Sequence, residues 1–169
     1  RELAAQAVAR GDRLIVASGG DGTINEVVNG MQDSSATLAV LPSGTVNILA
    51  ALLRLPRRSP ALADYVLNGA TRPVRWGVAN GRLFTGMLSA GFDALCVHNM
   101  NPALKRRVGV LAYGWEAIKE FVSYRPAALR VTVDGVEHPC TTAIVLRGPY
   151  YAGKYTLAPE ARLEDDRLW

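Results

Sequence analysis

Short apolar runs, broken by glycine, asparagine and proline turns, divide the chain into two stretches of different rhythm. In the first, to about Arg72, helix-like and strand-like patterns alternate. Residues 2–9 read as a helix closed by Gly11. Residues 13–18 (RLIVAS) form a continuous apolar run, the pattern of a strand buried on both faces. A glycine turn follows, then a helix over 24–28 that stops at Asn29-Gly30. Residues 37–41 (TLAVL) predict a second strand, residues 42–45 a second turn, and residues 46–53 a second helix. Ser59-Pro60, a capping residue before a first-turn proline, opens a third helix that ends near Asn68-Gly69. Strand, turn and helix repeated twice is the pattern of an open parallel sheet.

The second stretch has a strand-on-strand texture. Residues 74–79, 82–89, 129–133 and 141–146 read as strands, and Asn80-Gly81 and Asp134-Gly135 as hairpin turns. One helix, about 104–124, interrupts them, with Val108, Leu111, Trp115, Ile118 and Val122 at helical spacing as a core stripe. The expected fold is therefore α/β: a domain with an open parallel sheet over 1–72, then a β-rich, antiparallel domain over 73–169. The boundary is placed at Arg72-Pro73, where the texture changes.

Composition narrows the class. The 169 residues are 49% apolar and 20% charged, which suits a buried core and excludes disorder and collagen. No apolar run approaches the roughly 20 residues needed to cross a bilayer. Two cysteines, Cys96 and Cys140, and two histidines, His98 and His138, exclude a disulfide scaffold or a zinc finger and make a reducing cytoplasm the expected location. The net charge is +4, and residues 101–130 hold six cations against two anions. Arg54, Arg57 and Arg58 form a second basic cluster. Such patches suit phosphates, an anionic membrane surface, or simply solvent. No nucleic-acid recognition motif accompanies them.

The candidate chemistry lies in the two glycine turns. Both follow strands of one parallel sheet, so both face the carboxyl edge where open α/β sheets bind ligands. Gly19 and Gly20 let backbone approach a phosphate closely, and the helix that begins after Gly22 offers free N–H groups at Thr23 to Asn25. Asp21 in the same turn implies Mg²⁺ between carboxylate and phosphates. Gly44-Thr45 repeats the device, with Asn47 two residues on. No Gly-Lys-Ser/Thr follows either turn, so this is not a Walker loop.

These residues carry a resemblance. Gly19-Gly20-Asp21-Gly22-Thr23-Ile24-Asn25-Glu26 resembles the GGDGTxNE motif of the diacylglycerol kinase catalytic family, which includes diacylglycerol, sphingosine and bacterial YegS-type lipid kinases. Leu41-Pro42-Ser43-Gly44-Thr45-Val46-Asn47 resembles its LPxGTxN segment, with Ile48 where the family has Asp. Gly91-Phe92-Asp93-Ala94 is similar to its GFDA segment, residues 106–124 to its amphipathic helix, and Pro159-Glu160-Ala161-Arg162-Leu163-Glu164-Asp165 to its PxAxLxDG segment, with Asp166 in place of Gly.

The resemblance implies a nucleotide-binding α/β domain followed by the start of an antiparallel β-sandwich, in a longer protein of which this chain is a fragment lacking both ends. It implies an ATP-dependent lipid kinase that transfers the γ-phosphoryl group to a lipid hydroxyl. Gly19, Gly20, Gly22, Thr23 and Asn25 would contact nucleotide phosphates, with Gly44, Thr45 and Asn47 in a second turn. Asp21 would act near Mg²⁺, and Asp165 would be the general base. ATP, Mg²⁺ and a lipid are the expected ligands, peripheral membrane contact from the cytoplasm is expected, and a homodimer is left open. An NAD kinase type of phosphotransferase and a non-catalytic nucleotide- or lipid-binding relative are the alternatives.

Asp166 implies a turn needing φ > 0, and a second carboxylate that raises the pKa of one of the pair. Glu26 reads equally as a nucleotide-site residue or a first-turn acid stabilised by the helix dipole. Asp93 reads as a turn former or a border of the acceptor cleft. Cys96, His98 and Met100 alternate, as on one strand face, and His138 reads as surface.

Overall fold

A computed structural model describes residues 1–56, 59–99, 118, 121, 124–152 and 155–169. The chain divides into two compact units, residues 1–87 with 146–169, and residues 88–145. The expected boundary at Arg72-Pro73 thus falls inside the first unit. The reason is a set of side-chain clamps on residues 75–86, described below.

The first unit opens with α1 (Glu2–Ala9), stopped at Gly11 with φ +86°. Strands β1 (Leu14–Gly19) and β2 (Thr37–Pro42) pair in parallel, with Leu14 opposite Thr37 and Gly19 opposite Pro42. Both strands therefore end at the same level. Helix α2 (Asp21–Gly30) returns between them. It starts at Asp21, not at Ile24, because Gly20 is extended and serves as N-cap, while Asp21 is the first-turn acid that the dipole favours. Helix α3 (Ile48–Leu52) is shorter than the 46–53 pattern, because Asn47 has φ +56° and blocks an earlier start. Helix α4 (Ser59–Asn68) lies where Ser59-Pro60 and Asn68-Gly69 place it. Ala17, Ile24, Val28, Val40, Leu49 and Leu163 form the core, with Trp76 packed against it. On β1, Leu14 and Val16 keep one face open to solvent.

Short strands β3 (Gly77–Ala79) and β4 (Arg82–Phe84) form a hairpin. Its Asn80-Gly81 turn has φ +50° and +74°, the two positive angles of a type I′ turn. The expected strand over 82–89 breaks after Phe84, since the Thr85 N–H donates to Asn25 Oδ1 (3.2 Å) and the Gly86 carbonyl accepts from the Arg147 N–H (2.8 Å). Residues 74–76 are likewise outside β3, and the Arg75 N–H donates to the Leu163 carbonyl at 2.8 Å. Asn29, 5% exposed, clamps the hairpin to α2. Its Nδ2 donates to the Asn25 and Leu83 carbonyls (2.8 and 2.9 Å), and its Oδ1 accepts from the Leu83 N–H (2.9 Å). Asn29→Leu therefore leaves Leu83 polar groups buried without partners, and a loss of about 2–4 kcal/mol is expected in denaturant titration. Short tyrosine strands β9 (Tyr150–Tyr151) and β10 (Tyr155–Thr156), not foreseen in the sequence, close this unit.

The second unit is entered within β5 (Met87–Gly91), which is a hydrogen-bonded neighbour of β8 (Thr142–Leu146). Gly91 has φ +94°, and a Cβ there would sit 2.3 Å from the Thr141 carbonyl oxygen. That turn ends β5 and starts helix α5 (Phe92–His98). Cys96 and His98 are therefore helical, not on a strand face; Met100 lies outside the described residues. Strands β6 (Leu129–Val133) and β7 (Val136–Cys140) form an antiparallel hairpin whose Asp134-Gly135 turn has φ +49° and +83°. His138 on β7 is exposed. Phe92 meets Tyr124 edge to face, ring centroids 4.9 Å apart. The expected helix 104–124 lies outside the described residues, apart from positions 118, 121 and 124.

Candidate functional site

The register of β1 and β2 brings the two glycine turns together. Because Gly19 lies opposite Pro42, the chain leaves both strands at one edge, and the Ser43 N–H donates to the Gly19 carbonyl at 3.0 Å. The turns then touch backbone to backbone: a Cβ on Gly44 would sit 2.4 Å from the Gly20 Cα, and one on Gly20 would sit 3.1 Å from the Gly44 Cα. No larger residue fits this contact without parting the turns.

Asp21 ties the turns electrostatically. Its Oδ1 accepts the Ile48 N–H at 2.6 Å, so a first-turn acid of α2 holds the first amide of α3. Asn47 staples the second turn, with Oδ1 accepting from the Gly44 N–H (2.9 Å) and Nδ2 donating to the Gly44 carbonyl (2.5 Å). Asn25 turns its Oδ1 to the Thr85 N–H, and Glu26 pairs with Arg82. Among the sequence candidates, then, Asn25 and Asn47 brace backbone. Ile48, where an Asp is usual in the resembled motif, contributes its amide to Asp21, and its Cγ2 lies 3.1 Å from where a Gly86 Cβ would be.

The arrangement fits a polyphosphate. The first intrahelical bond of α2 runs from the Ile24 N–H to the Gly20 carbonyl, so the N–H groups of Asp21, Gly22 and Thr23 precede it. Of the expected Thr23 to Asn25 set only Thr23 remains, and Asp21 and Gly22 join it as the donors at the helix mouth. A Cβ on Gly22 would meet nothing within 4 Å, so open space lies beside this glycine. For a divalent cation, Asp21 keeps Oδ2 outside its bond to Ile48, and magnesium takes few protein carboxylates when phosphates supply the rest. Among the described residues no cluster of three His, Cys, Asp or Glu side chains could hold a metal alone. A cavity of about 860 Å³ lies elsewhere in this unit, lined among others by Arg13, Met31, Tyr65, Arg72 and Trp76.

Asp165 is held in a frame. Its Oδ2 accepts both the Arg162 N–H (3.0 Å) and the Trp169 indole N–H (3.1 Å), and Oδ1 makes no hydrogen bond among the described residues. The Arg162 N–H, then Trp169 with nearby Arg167 and Arg147, hold its carboxyl below the usual carboxylate range. Asp166 does not raise it. Asp166 also has no positive φ, contrary to the expected turn, and its carboxylate pairs with Arg75 Nε at 2.5 Å. Leu163, two residues before Asp165, sits in the same core as Ala17, Ile24 and Val28. In the second unit, Asp93 is a first-turn residue of α5 that accepts from the Ser89 hydroxyl.

Sequence comparison agrees with this architecture. Residues 1–79 match the diacylglycerol kinase catalytic domain, and residues 86–168 match the YegS C-terminal NAD kinase beta sandwich-like domain. Over residues 1–79 the chain belongs to the diacylglycerol kinase catalytic family, and over residues 86–168 to the YegS C-terminal one. It is 36% identical over 167 residues to a diacylglycerol kinase of Bacillus subtilis, covering 96% of this chain and 55% of that protein. It is 32% identical over 172 residues to a "Probable lipid kinase YegS-like" of Pseudomonas aeruginosa, covering 99% of this chain and 57% of the relative. A crystal structure of a diacylglycerol kinase from Bacillus anthracis superposes with a TM-score of 0.76 at 26% identity, over 98% of this chain and 58% of that one. The chain thus spans between half and three-fifths of the length of these relatives.

Proposed function

We propose that this chain carries the nucleotide site and the catalytic carboxylate of a lipid kinase, which transfers the γ-phosphoryl group of ATP to a lipid hydroxyl. The observation that carries the reading is the pair of glycine turns joined at Gly20 and Gly44, at the mouth of α2. Backbone N–H groups of Asp21, Gly22 and Thr23 bind phosphate oxygens, with Gly19, Gly20, Gly44 and Thr45 lining the approach. Asn47 holds the second turn in place, and Asn25 ties α2 to Thr85. Asp21 is the residue for Mg²⁺, which when bound neutralises phosphate charge. Asp165 accepts the proton of the acceptor hydroxyl through Oδ1 as the oxygen attacks phosphorus. An acceptor dissolved in a bilayer requires peripheral contact with the membrane, and no helix among the described residues is long and apolar enough to cross one.

The test incubates the full-length protein with γ-labelled ATP, Mg²⁺ and a mixed lipid extract in micelles, and counts organic and aqueous phases separately. Label in the organic phase supports the lipid kinase. Label confined to a soluble acceptor favours an NAD kinase type, and ATP binding with no transfer favours a non-catalytic relative.

Gly22 separates ligand contact from folding. Since no internal atom opposes its Cβ, Gly22→Ala should raise stability by about 0.5–1 kcal/mol, the helix propensity difference. It should also weaken ATP binding by about tenfold or more if the open space is where phosphates sit. Calorimetric titration beside a thermal melt reads both, and unchanged ATP affinity would move the nucleotide elsewhere.

A further inference from the structure

Arg147 follows β8 and is 2% exposed, the largest fully buried side chain among the described residues. No carboxylate pairs with it among those residues. Instead, Nε donates to the Arg75 carbonyl (2.9 Å), Nη2 to the carbonyls of Leu163 (3.0 Å) and Asp165 (2.8 Å), and Nη1 to that of Arg167. Three alternate carbonyls of the segment that bears Asp165 thus converge on one guanidinium. Burial lowers the pKa of Arg147, as expected of a cation with no buried counter-ion. An apolar side chain would fill a core at less cost. The planar fork does what an apolar group cannot: it fixes the backbone on both sides of Asp165. Flanking bonds complete the frame. Leu146 and Trp169 exchange both backbone bonds (2.9 and 3.2 Å), and Arg72 pairs with Glu164 at 3.0 Å.

We propose that Arg147 is a positioning residue for phosphoryl transfer, its guanidinium holding residues 163–167 so that Asp165 presents Oδ1 to the acceptor hydroxyl. This rests on the function proposed above. Arg147 touches no reacting atom. It acts through the Asp165 backbone, while Trp169 and the Arg162 amide fix the carboxylate itself.

Arg147→Lys keeps the charge and loses the fork. In the full-length protein, R147K should lower kcat by about tenfold or more and leave KM for ATP within about threefold. In a D165N background the same change should cost nothing further, because its effect passes through Asp165. An R147K enzyme as fast as wild type, or losses that multiply in the double variant, would overturn the proposal. If R147K does not fold, R147A assayed with added guanidinium or ammonium chloride decides. Recovery with guanidinium alone supports the fork, and recovery with neither ion overturns it. If the wild type itself transfers no phosphate to lipid, the functional reading fails, and amide hydrogen exchange tests the positioning alone. Faster exchange at 162–169 in R147K, with 21–48 unchanged, supports it; unchanged exchange at 162–169 refutes it.

Discussion

Asp165→Asn should abolish most phosphoryl transfer, by about 10²–10⁴-fold in kcat, the usual contribution of a positioned general base. The geometry makes this substitution a clean one. Oδ2 of Asp165 accepts two N–H groups, from Arg162 and the Trp169 indole. In the variant the amide oxygen must take that place, since an NH₂ there would face two donors. The NH₂ then stands where Oδ1 stood, and it cannot accept a proton. The frame, the fold and the nucleotide turns stay intact, so ATP affinity and melting temperature should be nearly unchanged. A variant that keeps more than about a tenth of the rate would remove Asp165 from the role of base.

The pH profile follows from the same bonds. The Arg162 N–H, Trp169 and the nearby arginines depress the folded pKa of Asp165. The carboxylate therefore stays ionised above the ordinary range of about 4 and loses its charge only as the pH falls through the lower folded value. The sign is that of any depressed acid: what the ionised form contributes is present at neutral pH and disappears in acid. Titration of Asp165 should thus leave transfer unaffected between about pH 5 and 8, and an acid limb in that window would belong to another group. A carboxylate of low pKa is a weak base toward an alcohol. Its contribution rises late, as the attacking oxygen bonds to phosphorus and its proton becomes acidic.

Gly44→Ala should have the second largest effect, on stability and on nucleotide binding together. Its Cβ would lie 2.4 Å from the Gly20 Cα and 2.9 Å from Asn47 Oδ1. The first is backbone, and the second is held by the Gly44 N–H, so neither yields cheaply. The turns must part, at about 1–3 kcal/mol for an overpacked contact, and the amides at the mouth of α2 part with them. Gly20→Ala, whose Cβ would meet the Gly44 Cα at 3.1 Å, should cost less. Thermal melts should therefore rank G44A below G20A and G20A below G22A, while all three lose ATP affinity. A G44A protein as stable as wild type would mean that the turns are not in contact.

Much of this was legible in contiguous residues. The β1 and β2 runs, both type I′ turns and the stop at Gly11 follow from local chemistry: a short continuous apolar run, or a position that needs φ > 0; the burial of β1 on both faces did not follow, since Leu14 and Val16 are exposed. The glycine turns were visible as breaks between a strand run and a helix, and so was the carboxyl edge they share, although none of Gly19, Gly20, Gly22 and Gly44 has a positive φ. Residues 92–98 were not legible, because a short apolar stretch satisfies strand and helix periods alike and Gly91, with φ +94°, settles the matter.

Tertiary structure alone assigned the polar side chains. Asn29 meets Leu83 at 54 positions' remove, Asn25 meets Thr85 at 60, and Arg147 meets Arg75 at 72. Nothing in the neighbouring residues marks these partners, since a buried polar group is satisfied by whatever backbone the fold brings to it. The first unit was hidden on the same ground: residues 146–169 return to it through bonds with 75 and 86 that no local pattern announces. By itself the sequence determined β1, β2, the two hairpin turns and the edge that the two glycine turns share, because each is fixed by residues adjacent in the chain. Only the folded structure decided which carboxylate oxygen of Asp165 stays open and that a buried arginine holds it there, because those depend on donors and carbonyls brought together from distant segments.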